Sequence, residues 1–302
     1  MQLRLLALGP SQYIEYAEFG DPNGKPAVFF HGFVGSIHQA AAAHAAALKA
    51  GLRIIAPHRP GIGRSTPVEG KTIKDAVQPA LALLKHLKIE KYAAIGVSGG
   101  APYAMACGVL DAARVTSLSL VSPLGPLWSR TIRWKFEFKL RCLLVVGAMG
   151  LLGRRMIGRL FSYKHIVFAK NLRASVLKFV GQVSPADNEV FRKNMGGALD
   201  MFVADHKVVM KTPESTYNLG REIQRYWHWG FNIRSVPKSV PCRIWHGTND
   251  TMVPLSSAEY LRSCAPQADL KLLPGGHFAA LTSMQEIVAF AAKCRAADER
   301  RK

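Results

Sequence analysis

Gly96-Val97-Ser98-Gly99-Gly100 is the stretch of this chain best suited to covalent chemistry. A serine on a tight turn needs small neighbours, because the backbone there passes too close to itself for side chains. Gly96 and Gly100 supply that room. An apolar run, Tyr92–Ile95, precedes the turn, and a helix is predicted from Ala101. A strand-turn-helix context exposes the Ser98 hydroxyl at a sheet edge, beside the free N–H groups of a helix N-terminus. Those groups favour developing negative charge. The five-residue pattern also arises by chance, and the flanking strand and helix are what give it weight. The chemistry implied is nucleophilic attack by Ser98.

A serine hydroxyl is a weak nucleophile until a base takes its proton. His277 lies in Pro274-Gly275-Gly276-His277-Phe278, just after the last predicted strand. Taken alone, a loop histidine reads as a surface residue; placed downstream of Ser98 it reads as the base. The acid that orients it should lie between them near a strand end. Asp250 does, in Gly247-Thr248-Asn249-Asp250 after Arg243–His246. An aspartate there also suits a turn or a helix cap. Its catalytic role would be to accept the ring N–H of His277 and stabilise the imidazolium. Two backbone N–H groups would complete the site as an oxyanion hole. One belongs to Gly99, after the nucleophile, and the other to Phe33, in His31-Gly32-Phe33-Val34-Gly35-Ser36. His31 is read as holding loop geometry rather than as a base.

The elements that must position these groups follow from the apolar pattern. The first residues read as an opening strand, Gln12–Phe19 alternates, and Ala27–Phe30 is a short strand. Ile37–Ala50 is Ala-rich and helical, closing at Gly51, and Leu52–Ala56 stops at Pro57. Thr72–Leu87 has helical spacing through Ile73, Val77, Leu81 and Leu84; Ala93–Val97 is a strand, Ala101–Leu110 a helix and Val115–Val121 a strand. The alternation predicts an α/β fold: a mostly parallel central sheet with helices on both faces. From about Pro123 to Pro237 the pattern turns helical and irregular. Order resumes with Cys242–His246 and Leu270–Leu273 as strands and Leu255–Cys264 and Met284–Ala297 as helices. The predicted organisation is a core of residues 1–122 and 237–302, interrupted by a helical cap of residues 123–236. Such a cap lies over the strands' carboxyl ends, where open α/β sheets bind ligands.

Composition bounds the rest. The chain of 302 residues is long enough for one domain with an insertion. It carries 40 Lys and Arg against 20 Asp and Glu, a net charge of +20. Between Ser129 and Lys193 there are 14 basic residues against three acids (Glu137, Asp187 and Glu189), so this segment holds +11 of the total. Its basic residues interleave with Trp134, Phe136, Phe138 and Phe161. A solvated basic face is the plain reading. The sharper one is an amphipathic cap that rests on an anionic membrane surface and reaches lipid esters. Basic charge also gathers anionic substrates. Nucleic acid is not expected, since no binding motif accompanies the charge. The apolar residues Leu143, Leu144, Val145, Val146, Met149, Leu151 and Leu152 are expected to pack on the sheet or on one another, some of them facing an acyl pocket. Five scattered cysteines without a CxxC pair argue against a disulfide framework and a zinc site, and fit a reducing compartment. The start lacks the apolar region of a signal peptide, and Cys142–Gly153 is shorter than the roughly 20 residues a membrane span needs. A cytoplasmic location, with peripheral membrane contact at most, is expected.

Taken in order, HGFVGS, Arg59-Pro-Gly-Ile-Gly-Arg-Ser65, GVSGG, WHGTNDTMVP and PGGH resemble the α/β-hydrolase fold superfamily, over about residues 12 to 290. Ser184-Pro-Ala-Asp187 and Trp229-Gly-Phe231 resemble generic hydrolases with a helical cap, of the esterase or lipase-like branch. The resemblance implies a serine hydrolase with the order Ser98, Asp250, His277 and no metal or organic cofactor. A serine nucleophile separates the chain from epoxide hydrolases and haloalkane dehalogenases, which use a carboxylate there. The absence of HGGPG separates it from proline iminopeptidases. His58 stands where relatives often carry Asp, so hydrogen bonding behind the oxyanion loop is expected to differ. The expected reaction is cleavage of an uncharged, medium-chain or lipid-like carboxylic ester through an acyl-enzyme. Amide, thioester or carbon–carbon cleavage would use the same parts, as would a cofactor-free haloperoxidase-like activity. A slow-turnover ligand-binding protein of the receptor type is the reading from another class.

Overall fold

The computed structural model describes residues 1–136, 138–169 and 171–299. Eight strands form one sheet: β1 (Leu3–Gly9), β2 (Gln12–Gly20), β3 (Lys25–Phe30), β4 (Leu52–Pro57), β5 (Tyr92–Val97), β6 (Val115–Val121), β7 (Cys242–Gly247) and β8 (Ala268–Leu273). Their order is β1-β2-β4-β3-β5-β6-β7-β8. β2 runs antiparallel to both neighbours and every other pair is parallel. Side chains alternate between the two faces, as the pleat requires. Val28, Phe30, Ile55 and Ala94 enter one core; Ala27, Phe29, Ile54, Ala56, Ala93 and Ile95 enter the other.

Helices cover both faces. α1 (His44–Ala50) and α12 (Met284–Glu299) bury Ala47, Ile287, Val288 and Ala291 on one side. On the other, α2 (Ile73–His86), α3 (Ala101–Leu110) and α11 (Leu255–Cys264) bury Val77, Leu84, Met105, Ala258 and Leu261. Thr72 and Asp75 form a capping box that starts α2, and Gly51 ends α1 in the left-handed region. The stretch expected as one helix, Ile37–Ala50, is a 3-10 turn over Ile37–Ala43 followed by α1. Ser36 is held at its start by bonds to His38 and Asp205, which fits a tightened first turn.

Between β6 and β7 the described residues hold no strand. They form α4 (Arg130–Arg133), α5 (Phe138–Ala148), α6 (Gly150–Ala169), α7 (Leu172–Val183), α8 (Asn188–Arg192), α9 (Ala198–Val209) and α10 (Pro213–Trp227). Glu137 and the side chain of Phe138, both weighed in the basic segment, lie outside the described residues. α5 and α6 pack against α10, with Gly158 close to the Tyr217 backbone and Gly220 close to the Arg154 backbone. The expected packing of seven apolar residues is corrected here. Leu144 is buried, and Leu143 and Val146 are partly buried against the core. Val145, Met149, Leu151 and Leu152 face outward, because only one side of this helix pair meets α10. No helix among the described residues is long and apolar enough to cross a membrane.

The strand order reverses between β3 and β5. From β3 the chain moves to β4 on one side; from β5 it moves to β6 on the other. A crevice opens beyond the carboxyl ends at such a point, and the loops after β3 and β5 meet there. Their contact is tight. A Cβ on Gly100 would run into the Phe30 carbonyl oxygen and lie 2.6 Å from that of His31, and one on Gly96 would lie 2.7 Å from the Gly100 carbonyl oxygen. Backbone atoms cannot yield as a flexible side chain can. Gly100→Ala is therefore expected to lower stability by about 1–3 kcal/mol, measured by urea denaturation, with the midpoint moving and the slope unchanged.

Candidate active site

β5 ends at Val97, and the next residue turns the chain sharply. Ser98 has φ +52°, in the left-handed region that a residue with a side chain enters at a cost of order 1–3 kcal/mol. A 3-10 turn, Ser98–Gly100, then runs into α3. The turn lifts Ser98 off the strand and places it at the start of the helical segment, whose first N–H groups have no partner within the helix.

Three side chains from distant parts of the chain meet at this point. Ser98 Oγ lies 3.0 Å from His277 Nε2, and His277 Nδ1 lies 2.7 Å from Asp250 Oδ2. Asp250 sits in the loop after β7 and His277 in the loop after β8. The other carboxylate oxygen of Asp250 accepts from the N–H groups of Met252 and Val253, at 2.9 and 2.8 Å. The turn role and the partnership with histidine are thus filled by one residue. Burial pushes the Asp250 carboxyl up, but the charge and hydrogen bond of His277, with His246 and the Val253 amide, bring it below the usual range. For His277, burial disfavours the cation. The charge and hydrogen bond of Asp250, helped by the Asp187 charge, outweigh this and raise its pKa. An ionised Asp250 selects the tautomer with a proton on Nδ1, which leaves the Nε2 lone pair for the serine hydroxyl.

The histidine loop is held from two sides. Ser122 Oγ donates to the His277 carbonyl at 2.9 Å, and the Phe278 N–H donates to Asp187 Oδ1 at 3.2 Å. Ser184 Oγ donates to the other oxygen of Asp187, whose side chain is fully buried. The Ser184–Asp187 segment of the insertion therefore fixes the chain around His277.

The loops that carry the two amides expected to bind an oxyanion come close together beside the Tyr226 hydroxyl. Phe33 N lies 3.0 Å from the point a Gly99 Cβ would occupy. The guanidinium of Arg59, buried behind them, donates to the Gly32 carbonyl at 2.8 Å and to the Gly99 carbonyl at 3.1 Å. A trans peptide is planar, with its C=O and N–H pointing opposite ways. Anchoring the Gly32 carbonyl on Arg59 therefore turns the Phe33 N–H away from Arg59. Arg59 also pairs with Glu222 at 3.1 Å and donates to the Tyr226 hydroxyl at 3.0 Å, and Tyr103 donates to Glu222 at 2.8 Å. The rest of the oxyanion loop is tied to α9. Gly32 N donates to Gln39 Oε1 at 2.7 Å, Gln39 Nε2 donates to Asp205 at 2.8 Å, and Ser36 N donates to Asp205 at 2.9 Å. Burial pushes the Asp205 carboxyl up to about 7, against the bonds from Ser36 and Gln39.

The residues singled out from sequence, Ser98, His277, Asp250, Phe33 and Gly99, with Gly96 and Gly100 in the turn, come together where the loops after β3, β5, β7 and β8 meet. His31 is buried, with its ring near the Arg59 N–H (3.3 Å) and the Gly32 carbonyl (3.1 Å). His58 pairs with Glu15 at 3.1 Å behind the loop. Arg59, Asp205 and Asp187 carry positions that sequence reasoning did not assign. Arg59 lies inside a quoted motif, so a buried cation there was a usable signal; Asp205 offers none. Among the described residues no group of three or more His, Cys, Asp and Glu is placed to hold a metal ion, and all five cysteines are free thiols.

The profile of the α/β hydrolase fold matches residues 25–283. Among characterised sequences, 3-oxoadipate enol-lactonase 1 of Acinetobacter baylyi is 29% identical over 112 residues, 37% of this chain and 42% of that protein. The chain thus matches well under half the length of this relative. Among solved structures, MGS-M2, an α/β hydrolase enzyme from a Medee basin deep-sea metagenome library, superposes with a TM-score of 0.70 at 16% identity, over 97% of each chain. The enol-lactonase of Burkholderia xenovorans superposes with a TM-score of 0.65 at 16% identity, over 96% of this chain and 99% of that one. The two superpositions speak to the fold and the profile to descent: the chain belongs to the α/β-hydrolase fold family.

Proposed function

We propose that this hydrolase cleaves carboxylic esters through an acyl-enzyme, with Ser98 as nucleophile, His277 as base and Asp250 as orienting acid. The observation that carries the reading is the hydrogen-bonded chain from Ser98 through His277 to Asp250, at 3.0 and 2.7 Å. As Ser98 Oγ attacks the acyl carbon, its proton passes to His277 Nε2. The carbonyl oxygen takes the negative charge and meets the N–H groups of Phe33 and Gly99. His277 then gives its proton to the departing alkoxide. A water molecule, deprotonated by His277, attacks the acyl-enzyme and frees the acid and Ser98. The relatives named as enol-lactonases act, by that name, on cyclic esters, which fall in the same bond class.

Aromatic contacts favour an uncharged, apolar ester. Phe33 packs edge-to-face with Phe161 and Tyr226 on one side, and Phe278 with Phe191 and Phe202 on the other. The insertion supplies Phe161, Tyr226, Phe191 and Phe202, so it packs apolar rings against Phe33 and against Phe278, the residue after His277.

The testing experiment treats the purified protein with a fluorophosphonate and then offers p-nitrophenyl esters of increasing acyl length. Labelling and turnover are expected, both lost in Ser98→Ala by at least about four orders of magnitude in kcat. Labelling without turnover on any ester would favour the ligand-binding reading, and no labelling of folded protein would remove the nucleophile.

The geometry also sets a pH dependence and the effects of two substitutions. His277 acts as base only when neutral, and its pKa is raised above 6.5, so the rate should fall as pH drops through a value above 6.5. Asp250→Asn removes the charge that raises it. The acid limb is expected to move to lower pH while kcat falls by about three to four orders of magnitude, as read from the pH–rate profile. Arg59→Lys keeps a cation but loses the fork that spans the Gly32 and Gly99 carbonyls. It is expected to lower kcat about ten- to a hundredfold with KM little changed, a split that general loosening of the fold would not produce.

A further inference from the structure

The α5–α6 pair turns an apolar and basic face to solvent. Along α6, Leu152, Met156 and Leu160 are 58%, 45% and 41% exposed and fall in one row at four-residue spacing. Leu151, Arg155 and Arg159 form the adjacent exposed row. Val145 on α5 and Met149 in the turn extend the patch. Exposed large side chains are therefore concentrated on one short hairpin, where singly scattered ones would need no explanation. The opposite side of α6 is buried through Ile157 and Phe161. The hairpin is thus a packed element with a second apolar face that is exposed among the described residues.

Its charge says what covers that face. Residues 138–169 contain six Lys and Arg and no Asp or Glu. At the base of α5 the exposed Trp134 ring carries the guanidinium groups of Arg133 and Arg141 at 5.9 and 5.0 Å, an amphipathic aromatic of the kind that settles at headgroup level. A polyanion such as RNA would reward the arginines and leave Leu152, Met156 and Leu160 in water. An anionic bilayer meets both demands, with headgroup phosphates beside the arginines and acyl chains beneath the leucines. α6 is not apolar enough to cross a membrane, so it would lie in the interface.

We propose that the outer face of the α5–α6 hairpin docks on an anionic lipid bilayer. Leu160 and Phe161 are consecutive: the first points to the bilayer side, and the second packs on the Phe33 ring of the oxyanion loop, with centroids 6.2 Å apart. The docked face is therefore one helix thickness from the site, and the substrate class it serves is an ester dissolved in the lipid phase. This substrate assignment rests on the hydrolase reading; the docking does not.

The test uses full-length Ser98→Ala protein, which leaves lipids intact, in co-sedimentation with vesicles of phosphatidylcholine alone or mixed with phosphatidylglycerol. Binding is expected only with phosphatidylglycerol and weakens as salt rises. Leu152→Ser/Met156→Ser/Leu160→Ser and Arg155→Glu/Arg159→Glu are each expected to lower the partition constant at least about tenfold. Lys49→Glu/Lys85→Glu makes the same change in net charge on core helices and should leave it within about twofold. Equal loss in that control, or no binding by the parent, overturns the proposal. Loss with the arginine pair but not with the apolar triple also overturns it, in favour of a polyanion surface. If the triple variant fails to fold, Leu152→Ser/Leu160→Ser takes its place and is read by the same loss of binding. With Ser98 restored, docking without hydrolysis of a vesicle-borne ester overturns the lipid-substrate assignment, and absence of p-nitrophenyl ester turnover as well sinks the hydrolase reading; both leave the docking intact.

Discussion

A guanidinium removed from water must find acceptors or destabilise the fold, and Arg59 finds them in the two loops where chemistry is proposed. Its donors reach the carbonyls of Gly32 and Gly99, while Glu222 balances its charge. The loops after β3 and β5 are otherwise only neighbours at a topological switch point. Arg59 converts that proximity into a fixed geometry, because each carbonyl it holds fixes a peptide plane. Breaking a buried pair of this kind costs about 3–5 kcal/mol, so the arrangement is held far more firmly than a surface contact could manage.

The helical insertion adds the second set of restraints. Asp187 holds the backbone next to His277, Asp205 holds Ser36 and Gln39, and Phe161 and Tyr226 pack on Phe33. His277 and the loop of Phe33 are thus positioned partly by residues of the insertion. Movement of the insertion would act directly on the reacting groups. The site is a joint product of core and insertion, with Ser98 and Asp250 held by the core.

What was legible in the sequence was local. Ser98 announced itself through its glycine neighbours and the strand and helix around it, and the strands through short apolar runs ended by Gly or Pro. Asp250 and His277 were legible through chain order. The pairs that support them were not, because Asp205 and Ser36 are ordinary residues far apart in the chain and nothing in either type signals the other. The sequence showed that Val145, Met149, Leu151 and Leu152 were apolar but not which side of the α5–α6 pair would face outward. The 3-10 turn at Ile37–Ala43 escaped for the same reason: a long-range bond to Asp205 helps set it, not the alanine-rich composition.

The chain leaves the sheet at Val121 and returns at Cys242, and these strands lie side by side, with Val121 paired to Trp245. The sheet therefore sees the whole insertion as a single closed loop between adjacent strands. Closure entropy grows only with the logarithm of loop length, about 0.6 kcal/mol for each doubling. Longer, shorter or differently folded excursions at this junction are nearly equivalent to the core, provided they still supply partners for Ser36, Phe33 and Phe278. The fold can thus exchange what surrounds its substrate while the sheet beneath goes on folding as before.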